Sequence, residues 1–299
     1  MTALLHRVKS KMFIFAHRKA RGLLDGEYGS VFKGRSLDFD DLRAYVPGDE
    51  VRDIDWKASA RHGSPLIRRY VAVRQQQVLL VADTGRNMAA ESLGGEPKKD
   101  IAVMALGVLG SLALNHGDPV GLVHGDATGT QALPVKAGDA NLERILRKVD
   151  DVGRHSAPSA PGEQLGFVER TFRRRMLLFV VADEGAVAET TERQLRRLRA
   201  QHEILWLTIR DADLTAPAPA ADPAGRGTAL RDVVGRAAVV HPVAASPKVL
   251  AAYQLARTER DASRSAMLRR AGITEGYAGS SHEVVPAIFS LLESHRRGG

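Results

Sequence analysis

A doubly wound α/β fold on a mostly parallel sheet is predicted by three features of the chain. Short apolar runs recur, each ending in Asp: 77–83 (QVLLVAD), 176–183 (MLLFVVAD) and 204–211 (ILWLTIRD). Runs this short and continuously apolar suit strands covered on both faces. Helical patterns separate them, at 98–115, 141–149, 163–174, 190–201 and 247–271, and such alternation argues for a parallel sheet with helices on both sides. At 299 residues the chain can also bury a large core.

Taken in order, residues 1–21 place basic residues on both sides of a very short apolar patch without a small-residue cleavage site. This is a poor signal peptide, and a helix packing on the body is expected. The segment 26–34 (GEYGSVFKG) reads as a turn or extended arm. Residues 34–69 mix carboxylates with Arg43, Arg52, Lys57 and Arg61 around Trp56. A solvated acidic tail carries one sign of charge and no aromatics, so this reads as a folded polar network. Asp53 and Asp55 would share one side of a strand. Pro97 suits the first turn of the helix at 98–115 and Gly117 its stop. Further apolar runs at 120–123, 237–240 and 273–278 read as strands, with a closing helix at 283–297. Breaks rich in Ala, Pro and Gly or Ser fall at 155–162 (HSAPSAPG) and 211–231. The expected division is an N-terminal arm, 1–75, and a sheet domain, 76–299.

Composition narrows the function. Cys is absent, which excludes disulfides and thiolate metal sites. Lys and Arg (43) exceed Asp and Glu (35), with Arg clustered at 193–199 and 257–270. Solvated helix faces explain this clustering, and an acidic partner or anionic surface is the alternative. The apolar run 101–114 is too short to span a bilayer, so a cytoplasmic protein without a transmembrane segment is expected, peripheral membrane contact being left open. No GxxxxGK[ST] phosphate loop, HExxH metal motif or GxSxG elbow occurs.

In an open parallel sheet, ligands sit outside the carboxyl ends of the strands where the order reverses. Asp83 and Asp183 would project there. Two converging carboxylates suit a hard cation such as Mg²⁺. They equally suit caps of the helices that follow, since Asp is common at strand-to-loop junctions, and spacing alone fits either.

The run LDFDDLRAYVPGDEVRDIDWKASAR, with Arg43, Tyr45, Pro47, Gly48, Asp49, Arg52, Asp53, Asp55 and Trp56, resembles the signature of a bacterial family of unknown function, DUF58. The resemblance is dense from about Tyr28 to Met88. It implies a von Willebrand factor A-like (vWA-like) domain and a MoxR-type AAA+ ATPase as partner, in assembly or remodelling of envelope or metalloenzyme clients. vWA domains often carry a metal-ion-dependent adhesion site opening with Asp-x-Ser-x-Ser. This chain reads Asp83-Thr84-Gly85-Arg86-Asn87. The Asp is kept, Gly85 offers no side-chain oxygen, and Asn87 offers an amide oxygen. Asp183 matches the later Asp, and no Thr is assigned. The resemblance thus implies a degenerate metal site of Asp83, Asn87 and Asp183, with Mg²⁺ bound weakly or not at all.

The expected function is a non-enzymatic interaction module, an adaptor for a MoxR-type ATPase that takes no small-molecule substrate. The alternative is a basic-surface binder of nucleic acid or anionic membrane. Nucleic acid is disfavoured because aromatics are only 5% of residues and none interleave the Arg runs.

Overall fold

The computed structural model describes residues 4–15, 24, 26–29, 38–47, 49–51, 54–71, 75–153, 155–185, 189–214 and 247–298. The strand expected at 237–240 lies outside them, as do Gly48, Arg52 and Asp53 of the signature and most of the segment 211–231. The chain divides into two compact units, Phe32–Gln76 and Met1–Val31 with Gln77–Gly299.

The larger unit opens with helix α1 (Leu4–Phe15). Then come β3 (Val78–Asp83), α3 (Lys98–Asn115), β4 (Val120–Asp126), β5 (Gly129–Lys136), α4 (Asp139–Asp150) and α5 (Pro161–Thr171). They are followed by β6 (Leu177–Asp183), α6 (Glu189–Gln201), β7 (Glu203–Ile209), α7 (Pro247–Arg270), β8 (Thr274–Ala278) and α8 (Val284–Gly298). The six strands are ordered β5-β4-β3-β6-β7-β8, all parallel except β5, which pairs antiparallel with β4. The order reverses between β3 and β6, so Asp83 and Asp183 end neighbouring strands at the switch point.

The central strands explain the apolar runs: β3 and β6 are buried at every position, because helices cover both faces. Strand β5 was not legible as a strand. It alternates between exposed and half-covered positions and contains Pro134, which an edge strand tolerates.

On one face, α3 is buried on all sides, as a helix without a polar stripe must be. Its two mid-helix glycines mark close approaches. A Cβ at Gly107 would lie 2.8 Å from the Val8 side chain of α1, and one at Gly110 2.6 Å from Leu142 of α4. Helix α1 lays Leu5, Val8 and Met12 into this layer. The Glu143 carboxylate of α4 accepts from the first backbone amides, Leu4 N at 3.2 Å and Leu5 N at 2.8 Å. Residues 26–29 are helical rather than a turn; buried Tyr28 donates to Asp118 Oδ2 at 2.9 Å. On the other face, Leu165, Leu195, Leu198, Met267 and Leu268 pack against Leu79, Val180 and Trp206.

Among the Arg clusters, much of the charge is matched. Arg196 and Arg270 pair with Glu192, and Arg197 with Glu169. Arg264 is buried between Glu275 at 2.9 Å and Asp261 at 2.8 Å. No described helix is long and apolar enough to cross a membrane.

In the smaller unit, β1 (Asp38–Ala44) pairs antiparallel with β2 (Leu66–Val71), and α2 (Trp56–His62) lies between them in sequence. Asp55 does not sit in a strand beside Asp53. It caps α2, its Oδ1 accepting from Lys57 N at 3.1 Å and Ala58 N at 3.0 Å, which satisfies amides that the first turn leaves free. Gly63 ends the helix at φ 82°, a left-handed conformation that glycine adopts without steric cost. Arg43 Nη2 donates to Asp49 Oδ1 at 2.6 Å, and Val46 N to Asp49 Oδ2 at 3.0 Å. The Arg43 hydrogen bond is the chief reason the Asp49 carboxyl lies below its usual range. Within the described part of the signature Asp49 and Asp55 are thus committed to local hydrogen bonds, while Tyr45 is half-buried, Pro47 exposed and Trp56 66% exposed.

Candidate functional site at the carboxyl edge of the sheet

Asp83 and Asp183 end β3 and β6, both nearly buried. Each makes the same local turn. Asp83 Oδ1 accepts from Gly85 N at 2.9 Å, and Asp183 Oδ1 from Gly185 N at 2.9 Å. These are Asx turns, in which a side chain takes the place of a backbone acceptor two residues on. Neither Asp caps the helix that follows, the alternative the spacing allowed: the 3₁₀ turn Arg86–Ala89 is capped by Gly85, and α6 starts only at Glu189.

The second oxygens differ. Asp183 Oδ2 accepts from Lys98 Nζ at 3.2 Å, and the same ammonium donates to Asp211 Oδ1. Lys98 is 2% exposed. Burial works against its charge, but Asp183 and then Asp211 outweigh burial and hold the ammonium above its usual pKa. Asp83 Oδ2 has no hydrogen-bond partner. Burial raises the Asp83 pKa to about 6, with Asp183 adding to the rise, while the Ser159 hydroxyl, Gly85 N–H and Lys98 offset part of it. Ser159 Oγ itself lies outside hydrogen-bond geometry, so its influence is that of a nearby dipole.

The loop before α5, expected only as a break, covers this edge. Arg86 N donates to Ala157 O at 2.8 Å, Ala127 N to Pro158 O at 2.9 Å, and Ala157 N to Asp126 Oδ2 at 3.2 Å. A Cβ at Gly85 would lie 2.4 Å from Ser159 Cα, 2.5 Å from its N and 2.6 Å from its Oγ. Position 85 is glycine because the Ser159 backbone occupies that space. Ser159 brings its own hydroxyl to the place where a residue-85 side chain would start. Asn87 lies in the 3₁₀ turn Arg86–Ala89, half-buried, its Oδ1 without a partner. Of the sequence-predicted trio, Asp83 and Asp183 sit on adjacent strands and Asn87 follows in the β3 turn.

Three contributors were missed: Lys98, Ser159 and Asp211. Lys98 did carry a signal. A lysine in the first turn opposes the helix macrodipole, so its place there implies carboxylates nearby. Ser159 carried none, because hydroxyls in Ala/Pro loops are ordinary.

The site fits a divalent metal poorly. Both Asp183 oxygens are engaged, Gly85 supplies nothing, and no group of three His, Asp or Glu suited to a metal occurs among the described residues. One uncommitted carboxylate oxygen, Asp83 Oδ2, remains with the neutral oxygens of Ser159 and Asn87. Mg²⁺ needs near-octahedral oxygen ligands and dehydrates reluctantly.

The fold and this edge define a doubly wound α/β domain whose switch point holds paired aspartates. Residues 41–218 match the family model described as "Protein of unknown function DUF58", and the chain belongs to that family. Uncharacterized proteins of Mycobacterium bovis and Mycobacterium tuberculosis are 27% identical over 202 residues, 65% of this chain and 61% of theirs. The chain thus spans less than two thirds of the length of these curated relatives. Similar solved structures include the conserved hypothetical protein BatB from Bacteroides thetaiotaomicron (TM-score 0.45, 14% identity, 74% of this chain and 99% of that one). A von Willebrand factor type A protein from Catenulispora acidiphila is another (TM-score 0.41, 8% identity, 76% and 44%).

Proposed function

We infer that this chain is a protein–protein interaction module, an adaptor for a MoxR-type AAA+ ATPase, and that it performs no catalysis of its own. The observation carrying this reading is the exposure of Trp56, at 66%, with Val46 at 54% and Val51 at 59%. Three of the six large apolar side chains exposed among the described residues fall within this short stretch of sequence, and Trp is enriched among residues that anchor interfaces. They lie inside the signature by which the chain resembles its family, and that resemblance supplies the ATPase as partner. The buried Asp83 and Asp183 are less suited to touch a partner directly than these residues are. The pairing of Arg196, Arg197, Arg264 and Arg270 with carboxylates weighs against a nucleic-acid or membrane surface.

A pull-down of tagged protein from its native lysate, read by mass spectrometry, tests this. Recovery of an AAA+ ATPase that falls at least tenfold with Trp56→Ala, at unchanged melting temperature, is expected. An ATPase recovered equally by Trp56→Ala, or none recovered by wild type, overturns the reading.

A further inference from the structure

Lys98 sits where a cation is least expected on electrostatic grounds and best supplied with partners. It is the first residue of α3, where the helix dipole disfavours positive charge, and it is almost fully buried. An ammonium leaves water for such a place only when paired and hydrogen-bonded. Asp183 Oδ2 at 3.2 Å and Asp211 Oδ1 provide that pairing. The end of β6 and the segment after β7 thus converge on a charge already belonging to the chain, and Asp83 at the end of β3 lies within its electrostatic reach.

We propose that the Lys98 ammonium is the built-in cation of this edge, holding β6 and the segment after β7 together as a divalent ion would, and that the edge takes no divalent metal while Lys98 is present. A dication near Asp83 would face the Lys98 charge at short range across a medium that screens it weakly. It would also have to recruit Asp183, whose Oδ1 is held by Gly185 N and whose Oδ2 is held by Lys98. Removing the ammonium frees Asp183 Oδ2 and Asp211 beside the uncommitted Asp83 Oδ2. That leaves several negative oxygens around a vacated volume, the donor set a hard cation prefers.

The proposal concerns the cation alone and stands or falls separately from the ATPase reading. Mn²⁺ is titrated into the full chain, with bound ion read by electron paramagnetic resonance and melting temperature recorded in EDTA and in millimolar Mn²⁺ or Mg²⁺. Wild type is expected to show no bound Mn²⁺ below millimolar concentration and no melting shift. Lys98→Ala is expected to melt lower in EDTA, to recover with Mn²⁺, and to bind Mn²⁺ at least tenfold more tightly than wild type. Adding Asp83→Asn should abolish that gain. Submillimolar Mn²⁺ binding by wild type that Asp83→Asn removes would overturn the proposal. So would a folded Lys98→Ala without a Mn²⁺ response. Should Lys98→Ala fail to fold, the wild-type and Asp83→Asn titrations decide: submillimolar binding that Asp83→Asn removes overturns the proposal, and its absence upholds it.

Discussion

Lys98 Nζ lies 3.2 Å from Asp183 Oδ2, with the two side chains 2% and 9% exposed. The pair joins the first turn of α3 to the end of β6. Removing one partner of a buried ion pair leaves the other charge uncompensated, which costs about 3–5 kcal/mol. Lys98→Met, which strands the buried Asp183, is expected to destabilise by that order in urea, and Asp183→Asn by less, because Asp211 still pairs with the ammonium. The double variant should lose less than the sum of the singles, since both buried charges are gone and only the half-exposed Asp211 lacks its cation. Additive losses in a double-mutant cycle would show that the pair is not coupled.

Asp83 makes the opposite contribution. Its pKa is pushed up to about 6 in the folded chain from 3.8. The native state therefore holds this proton more tightly than the unfolded one. The stabilisation is complete below about pH 4 and is lost as pH rises through 6, roughly 3 kcal/mol in all. Asp83→Asn removes the charge and should raise stability at pH 8 by up to that amount. His124, His202 and His295 are held below their usual values, chiefly by burial. Their stabilisation is present above about pH 6.5 and declines as pH falls. Stability of Asp83→Asn should accordingly rise from pH 5 to 7 more steeply than that of wild type. Urea midpoints across that range check both; an Asp83→Asn variant less stable than wild type at pH 8 refutes the assignment.

Introducing at position 85 the serine that the vWA resemblance would put there should fail. A Cβ at position 85 would meet the backbone of Ser159 at 2.4–2.5 Å, so Gly85→Ser must push the loop away from β3. A loss of about 3 kcal/mol is expected, at the upper end for overpacking. The clash is with main-chain atoms, so Ser159→Gly in the same chain should not restore the melting temperature. Recovery in that double variant would place the conflict in the Ser159 hydroxyl instead.

The sheet was legible because each central strand is covered on both faces, which forces a continuous apolar run such as 77–83 or 176–183. The switch-point location of Asp83 and Asp183 followed from that alternation alone. Strand β5 was not legible, since an edge strand needs apolar residues on neither face throughout and can carry Pro134. The signature was recognisable as a folded polar network, yet period two misread Asp55, because a cap and a strand residue look alike until the helix start is known. At the site, the aspartates were visible and their partners were not. Lys98 lies 85 residues from Asp183 and 113 from Asp211, and Ser159 reaches Gly85 across another loop. Topology fixes which groups pair, so the place of Lys98 in a first helical turn signals carboxylates nearby without naming them.

The contacts of α1 also bear on the order in which the chain can mature during synthesis. Leu4 and Leu5 hydrogen-bond to Glu143, separated by 139 and 138 residues, while Val8 packs on Gly107. At about 5–20 residues per second, a ribosome needs on the order of ten seconds between releasing the first helix and releasing its dock. Through that interval Leu5, Val8 and Met12 are an apolar stripe without their native cover, a ready substrate for a nascent-chain chaperone. The last of α1's native contacts closes only after α4 has emerged, making it a late latch on the α3 layer rather than a seed for it.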